Sequence, residues 1–360
     1  MRIPLIALGV LSLLGAVAGG LVRLGWPVPT TAGLVAFHGP LMVAGFLGTV
    51  IGLERAVALG RLWAFAGPAA TGLGAIALAA RVPGGEWLLM CGSAVMVLVF
   101  VEIVRARPAL FTVVMALGAG SWLGAQTLWL AGWPIHRVVY WWMGFVVLTI
   151  AGERLDLARL FRLGAKSRTA FLGVIAVLLI GIALTLPAPD LGVRLAGAAM
   201  VAMAIWLGLF DIARRTVRTS GSSRFIATAL LSGYVWLGVT GLLGLWFGAV
   251  AAGPPYDAVL HALFLGFVFS MIFGHALIIL PTVLSLGVTY HPTFYVPLGL
   301  LHASLAVRVV GDCVPWLPGR RGGGLLNAVA ILAFFATMAH GIVDSRRRAN
   351  SARAPLPASS

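Results

Sequence analysis

AGLVAFHGPLMVAGFLGTVIGLERAV, residues 32–57, carries a single ionisable group, His38, before it ends on Glu54-Arg55. A bilayer hydrocarbon core of about 30 Å needs roughly 20 apolar residues in helical form, so this stretch reads as a membrane-spanning helix with a histidine inside it. Working outward, eleven comparable stretches follow the same logic. The twelve fall at approximately 3–22, 32–57, 63–80, 87–104, 110–131, 138–153, 170–186, 192–212, 225–250, 257–283, 295–311 and 324–344. Lipid forces every backbone hydrogen bond to be met within a helix, and the connections are short. The expected fold is an all-α, polytopic membrane bundle of twelve transmembrane helices. Residues 1–345 read as one domain and 346–360 as a disordered, basic cytoplasmic tail.

Composition agrees. The 360 residues are 61% hydrophobic and 10% charged, with mean hydropathy +1.03, which excludes a soluble domain. A net charge of +15 would indicate nucleic acid in a soluble chain, but in a membrane chain the placement of Lys and Arg reports orientation and no nucleic-acid partner is implied. Most basic residues lie at Arg2, in the segments after spans 2, 4, 6 and 8, and in the C-terminal tail. The opposite loops hold Arg23, Arg81, Arg137, Arg194, Arg320 and Arg321. Both termini are thus expected in the cytoplasm of a bacterium, with the chain in its inner (plasma) membrane. The runs Arg154, Arg159, Arg162, Lys166, Arg168 and Arg346 to Arg348 read as topology anchors near anionic lipid. The first segment imitates a cleavable signal peptide, but its removal would spoil the charge alternation, so it is kept as span 1. Cys91 and Cys313 read as unpaired apolar packing.

Gly45-Phe46, Ile51 and Glu54-Arg55 in span 2 recur as Gly144-Phe145, Ile150 and Glu153-Arg154 in span 6 at the same spacing, and span 10 repeats Gly266-Phe267. Either the chain is three four-helix units about a pseudo-threefold axis, or these small residues serve only close helix packing.

A ligand-capable side chain buried in lipid is costly, and is a site hypothesis by default. At 1.5 Å per residue His38 lies roughly 9 Å, and His261 about 6 Å, below the outer boundary. Two neutral imidazoles at one depth, flanked by Gly39, Gly45, Ala262 and Gly266, suit the axial positions of one haem iron. The alternative is that each histidine merely bonds a facing helix. His275, His302 and His340 lie deeper and, with Glu54, Glu102 and Glu153, are candidates for a second metal site or a proton path, or else satisfy single carbonyls. His291 reads as solvated. Trp26, Trp87, Trp129, Trp133, Trp141, Trp246 and Trp316 read as an outer aromatic belt.

The strings Phe37-His38-Gly39-Pro40-Leu41-Met42-Val43-Ala44-Gly45-Phe46 and Leu260-His261-Ala262-Leu263-Phe264-Leu265-Gly266, with Met271 beyond, resemble the NnrS family of twelve-span bacterial membrane haem proteins associated with nitric-oxide metabolism. The plan is also similar to subunit I of haem-copper oxidases and nitric-oxide reductases. There, helices two and ten hold a low-spin haem near the outer face, and an Arg-Arg pair in the loop between helices eleven and twelve binds its propionates. The resemblance implies haem b on His38 and His261, propionates on Arg320 and Arg321 with Arg308 nearby, and nitric oxide or a respiratory electron carrier as partner. It departs from the oxidase pattern in lacking a His-x-His in span 10 and a histidine in span 7, with only His136 at the mouth of span 6. That places a dinuclear reductase site in doubt and leaves copper possible but unsupported, since Met42 reads as apolar filling. Whether the chain is an enzyme stays open. The rival readings are a twelve-span secondary transporter without haem, using Glu54, Glu153 and the deeper histidines for ion coupling, and a structural or assembly subunit.

Overall fold

The computed structural model describes residues 2–158 and 163–351. Among the described residues twelve helices are long and apolar enough to cross a membrane, and no strand occurs. They are α1 (Arg2–Arg23), α2 (His38–Leu59), α3 (Leu62–Ala79), α4 (Gly85–Ala106), α5 (Leu110–Leu130), α6 (Ile135–Ala158), α7 (Ala165–Leu184), α8 (Pro189–Phe210), α9 (Gly221–Phe247), α10 (Pro254–Leu284), α11 (Pro292–Cys313) and α12 (Leu317–Ser351). The chain is a polytopic membrane protein, and the lipid bilayer is its environment.

The three helices bearing the Gly-Phe repeat form the centre. Leu41–Thr49 of α2, Trp142–Gly152 of α6 and Ala262–Met271 of α10 are buried without interruption, so these segments have no lipid-facing side. A helix apolar all round belongs inside a bundle. Phe46 meets Phe269 across the α2–α10 contact, with ring centres 6.1 Å apart, and Trp122 of α5 stacks on Phe145 of α6 at 4.8 Å. The peripheral partners repeat too. Ser12 on α1 donates to the Leu41 carbonyl of α2 at 3.0 Å, and Ser121 on α5 donates to the Trp141 carbonyl of α6 at 2.7 Å. The recurrence is between two of the three units, those centred on α2 and α6.

Three local features differ from the sequence expectation. Span 2 is broken: Ala32–Ala36 forms a short helix capped by Thr31, Phe37 leaves helical geometry (φ −104°, ψ 21°), and α2 begins at His38. Helix α12 starts at Leu317, so Arg320 and Arg321 lie in its first two turns and not in a loop. Pro318 is tolerated there because first-turn amides need no intrahelical acceptor. At the other end α12 stays helical to Ser351, where a tail was expected, and 352–360 lie outside the described residues, as do Arg159 and Arg162.

The described backbone also holds a feature with no sequence expectation. Leu41–Leu47 in α2 and Ala262–Val268 in α10 wind as π-helix, each following closely on its histidine. Helix α6, the member of the trio without an intramembrane histidine, is α-helical throughout. Such wide turns are rare and concentrate at functional sites.

Candidate functional site

His38 opens α2, and His261 ends the first α-helical stretch of α10. Their rings face one another with centres 6.4 Å apart and planes 21° from parallel. Each ring is anchored through the same nitrogen. His38 Nδ1 lies 2.6 Å from the Ala16 carbonyl of α1, and His261 Nδ1 lies 2.9 Å from the Asp257 carbonyl one turn earlier. A carbonyl only accepts, so in both rings Nδ1 carries the proton and Nε2 keeps its lone pair. Gly20 makes the first anchor accessible, because a Cβ there would stand 2.8 Å from His38 Cε1 and 3.0 Å from Nδ1.

Both rings border a cavity of about 560 Å³, in the size range of cofactor clefts. Its walls are mainly apolar, with Val43, Val139, Trp142, Leu260, Phe264 and Ile331 among them. Its polar lining is cationic at one side: Arg23, Arg308 and Arg320, with Asp257, Asn327 and His136. Arg308 is 6% exposed; its Nη2 bonds Asp257 Oδ2 at 2.8 Å, while its buried Nε has no acceptor in the protein. Arg320 Nε lies 2.8 Å from Asp312 Oδ1, and its Nη2 lies 3.9 Å from Asp257 Oδ2. Arg321 does not line the cavity. It donates to the Gly25 carbonyl at 2.8 Å and lies over the Trp26 ring.

An imidazole nitrogen binds a first-row metal at about 2 Å and its ring centre lies roughly another ångström behind, so two rings on opposite axial positions of one iron have centres about 6 Å apart. The observed separation meets that requirement. The orphaned Arg308 Nε, beside Arg320 and Arg23, supplies donors for carboxylates at the polar edge of an apolar slot. The residues present therefore fit a haem.

The deeper groups do not converge. Among the described residues no set of three or more His, Cys, Asp or Glu is placed to hold a metal ion. His275 Nδ1 bonds the Met271 carbonyl, His302 Nδ1 accepts from Trp236 Nε1 at 3.0 Å, and His340 packs on His291. His291 is half-buried and bonds Asp344 at 3.1 Å instead of facing solvent. At the helix ends away from the cavity, Arg55 joins Glu54 of its own helix to Glu153 of α6, and Glu102 pairs with Arg105. In the loop after α8, burial pushes the Asp211 carboxyl above its ordinary range although Arg154 opposes the shift. Cys91 and Cys313 are exposed and unbridged; of the tryptophans expected in an outer belt, Trp87, Trp133, Trp246 and Trp316 are exposed and Trp26, Trp129 and Trp141 are half-buried.

Two residues of the site escaped the sequence reading. Asp257 served only to mark a helix start, although Asp257-x-x-x-His261 is the i, i+4 spacing that puts two side chains on one face. Trp142 is not among the tryptophans the sequence singles out, yet it lines the cavity and donates to Gln126 Oε1 at 3.1 Å.

Fold and site define an all-α polytopic membrane protein with a two-histidine, cofactor-sized cavity at one end of its bundle. The chain belongs to the family described as Domain of unknown function (DUF8744), whose model matches residues 2–343. No curated protein and no solved structure matches it.

Proposed function

We propose that this protein is a membrane-embedded b-type haem protein of NnrS-like kind, with His38 and His261 as the two axial ligands. The observation that carries the reading is the pair of facing rings, 6.4 Å apart, each with Nδ1 tied to a carbonyl and Nε2 left free beside an apolar slot. When bound, the haem supplies one-electron chemistry at its iron. The chain's own residues define what kind. His38 and His261 would together hold the iron and leave no open site on it, which suits electron transfer or a redox response, including one to nitric oxide, better than binding of a gas. Arg308 and Arg320, with Arg23, hold the propionates, the assignment of Arg321 giving way to Arg308. Val43, Val139, Leu260 and Phe264 keep water from the iron and so raise the cost of charge there.

The polarity of the bundle belongs to the same reading. Arg61, Arg105, Arg107 and Arg168 sit at the end of the helices away from the cavity, and four of the five exposed tryptophans, Trp87, Trp133, Trp246 and Trp316, sit at the cavity end, with Trp63 at the other. By the positive-inside rule the cavity faces the periplasm of a bacterial inner membrane, with both termini in the cytoplasm. A respiratory electron carrier on the periplasmic side is the implied partner. The test is haem stoichiometry. Protein purified from haem-replete cells carries one non-covalent b-type haem per chain, measured as its pyridine haemochrome. A colourless protein that takes up no added haemin would overturn the reading and favour the transporter alternative.

A further inference from the structure

The two anchors of the facing histidines are chemically unequal. His38 Nδ1 meets only a neutral backbone carbonyl, that of Ala16. His261 Nδ1 meets the Asp257 carbonyl at 2.9 Å and also the Asp257 carboxylate, whose Oδ1 lies 3.2 Å away. The other carboxylate oxygen is fixed by Arg308 Nη2 at 2.8 Å. Arg308 side-chain exposure is 7% and that of Asp257 is 21%, so the pair is held away from bulk water where its field is weakly screened. Arg308 comes from α11 and Arg320 from α12, so three helices fix one carboxylate against one ring.

We infer that Asp257 is a positioning residue that makes His261 the electron-rich ligand of the pair and so sets the haem's reduction potential. The inference rests on the haem reading above. A carboxylate on the outer nitrogen of a ligating imidazole fixes the ring's tautomer and raises its basicity. A more basic ligand donates more charge to iron and stabilises the oxidised form. Reduction here moves one electron onto iron and breaks no bond. Arg308 acts in the opposite sense by drawing charge from the carboxylate, so the same guanidinium that holds a propionate is wired through Asp257 to the metal ligand. Asp312 is a second buried carboxylate in the cluster, bound to Arg320 and in contact with Asp257, so it belongs to the same network; Asp190 pairs with Arg194 and does not line the cavity.

The test compares Asp257→Asn with Asp190→Asn in the full-length haem-loaded protein by redox titration and by electron paramagnetic resonance of the ferric state. Asp257→Asn keeps an acceptor but removes the charge. It is expected to shift the oxidised-to-reduced ratio at a fixed ambient potential about tenfold toward reduced, 59 mV for one electron, and to widen the spread of the ferric g values. Asp190→Asn leaves the g values unchanged. Should Asp257→Asn fail to retain haem, the wild-type ferric spectrum still decides, since a charge-donating ligand narrows its g spread below that of two neutral imidazoles. Haem-loaded wild type with the spread of two neutral imidazoles, or Asp257→Asn with unaltered potential and g values, overturns this inference while leaving the haem assignment intact. Wild type that binds no haem overturns both.

Discussion

Gly20 of α1 lies flat against the His38 ring of α2, close enough that an added Cβ would stand 2.8 Å from His38 Cε1. The contact confines His38, with Nδ1 on the Ala16 carbonyl and its ring centre 6.4 Å from that of His261. Gly20→Val should therefore displace the ring. Overpacking of this kind costs about 1–3 kcal/mol, roughly tenfold in haem affinity or more. Haemin titration of the apoprotein, followed by absorbance, measures it, and unchanged affinity would show that the ring has freedom the packing denies.

Arg320 and Arg321 are neighbours in sequence and separate in role. Arg320→Ala removes a cavity-lining donor and is expected to weaken haem binding by about 2 kcal/mol, the worth of a hydrogen bond to a charged group. Arg321→Ala loses the Gly25 and Trp26 contacts outside the cavity and should leave haem affinity unaltered. Paired titrations of the two variants check the contrast.

Arg55 links α2 to α6 through Glu153 and also faces Glu54. Replacing it with leucine strands two carboxylates that are about one quarter exposed, at a cost toward the lower end of about 3–5 kcal/mol. The haem spectrum should persist, because Arg55 lies about 25 Å along α2 from His38. A lowered Tm in detergent with an unmoved spectrum is the expected pattern.

Gly266 sits in the wide-turn segment of α10, where a Cβ would overlap the Trp236 ring of α9. Trp236 in turn donates to His302 of α11. Gly266→Ala should destabilise the bundle by about 1–3 kcal/mol, read as a fall in Tm against wild type.

Much of the architecture is legible without coordinates because the membrane imposes a length rule. Twelve apolar stretches gave twelve spans in the expected order, and the shared depth of His38 and His261 followed from counting residues along two parallel-running helices. The start of α12 was hidden by its glycines. Pro318, Gly319 and Gly322 to Gly324 imitate a turn, yet Gly323 lets α12 close on α11, where a Cβ would come within 2.7 Å of the Arg308 backbone nitrogen. That close approach carries Arg320 to the cavity, while the roughly 100° step to the next helical position turns Arg321 away. The π-helical turns depend on neighbours from distant segments, such as Ser12 on the Leu41 carbonyl, and leave no periodicity to read. The deeper histidines were grouped by depth alone, and depth is blind to which face of a helix each occupies.

The most direct test is the absorption spectrum of the purified protein, ferric and dithionite-reduced, beside those of His38→Ala and His261→Ala. The account predicts a six-coordinate, low-spin b-type spectrum in the wild type that each single substitution abolishes or converts to a high-spin form. A low-spin spectrum that survives in either variant would contradict it.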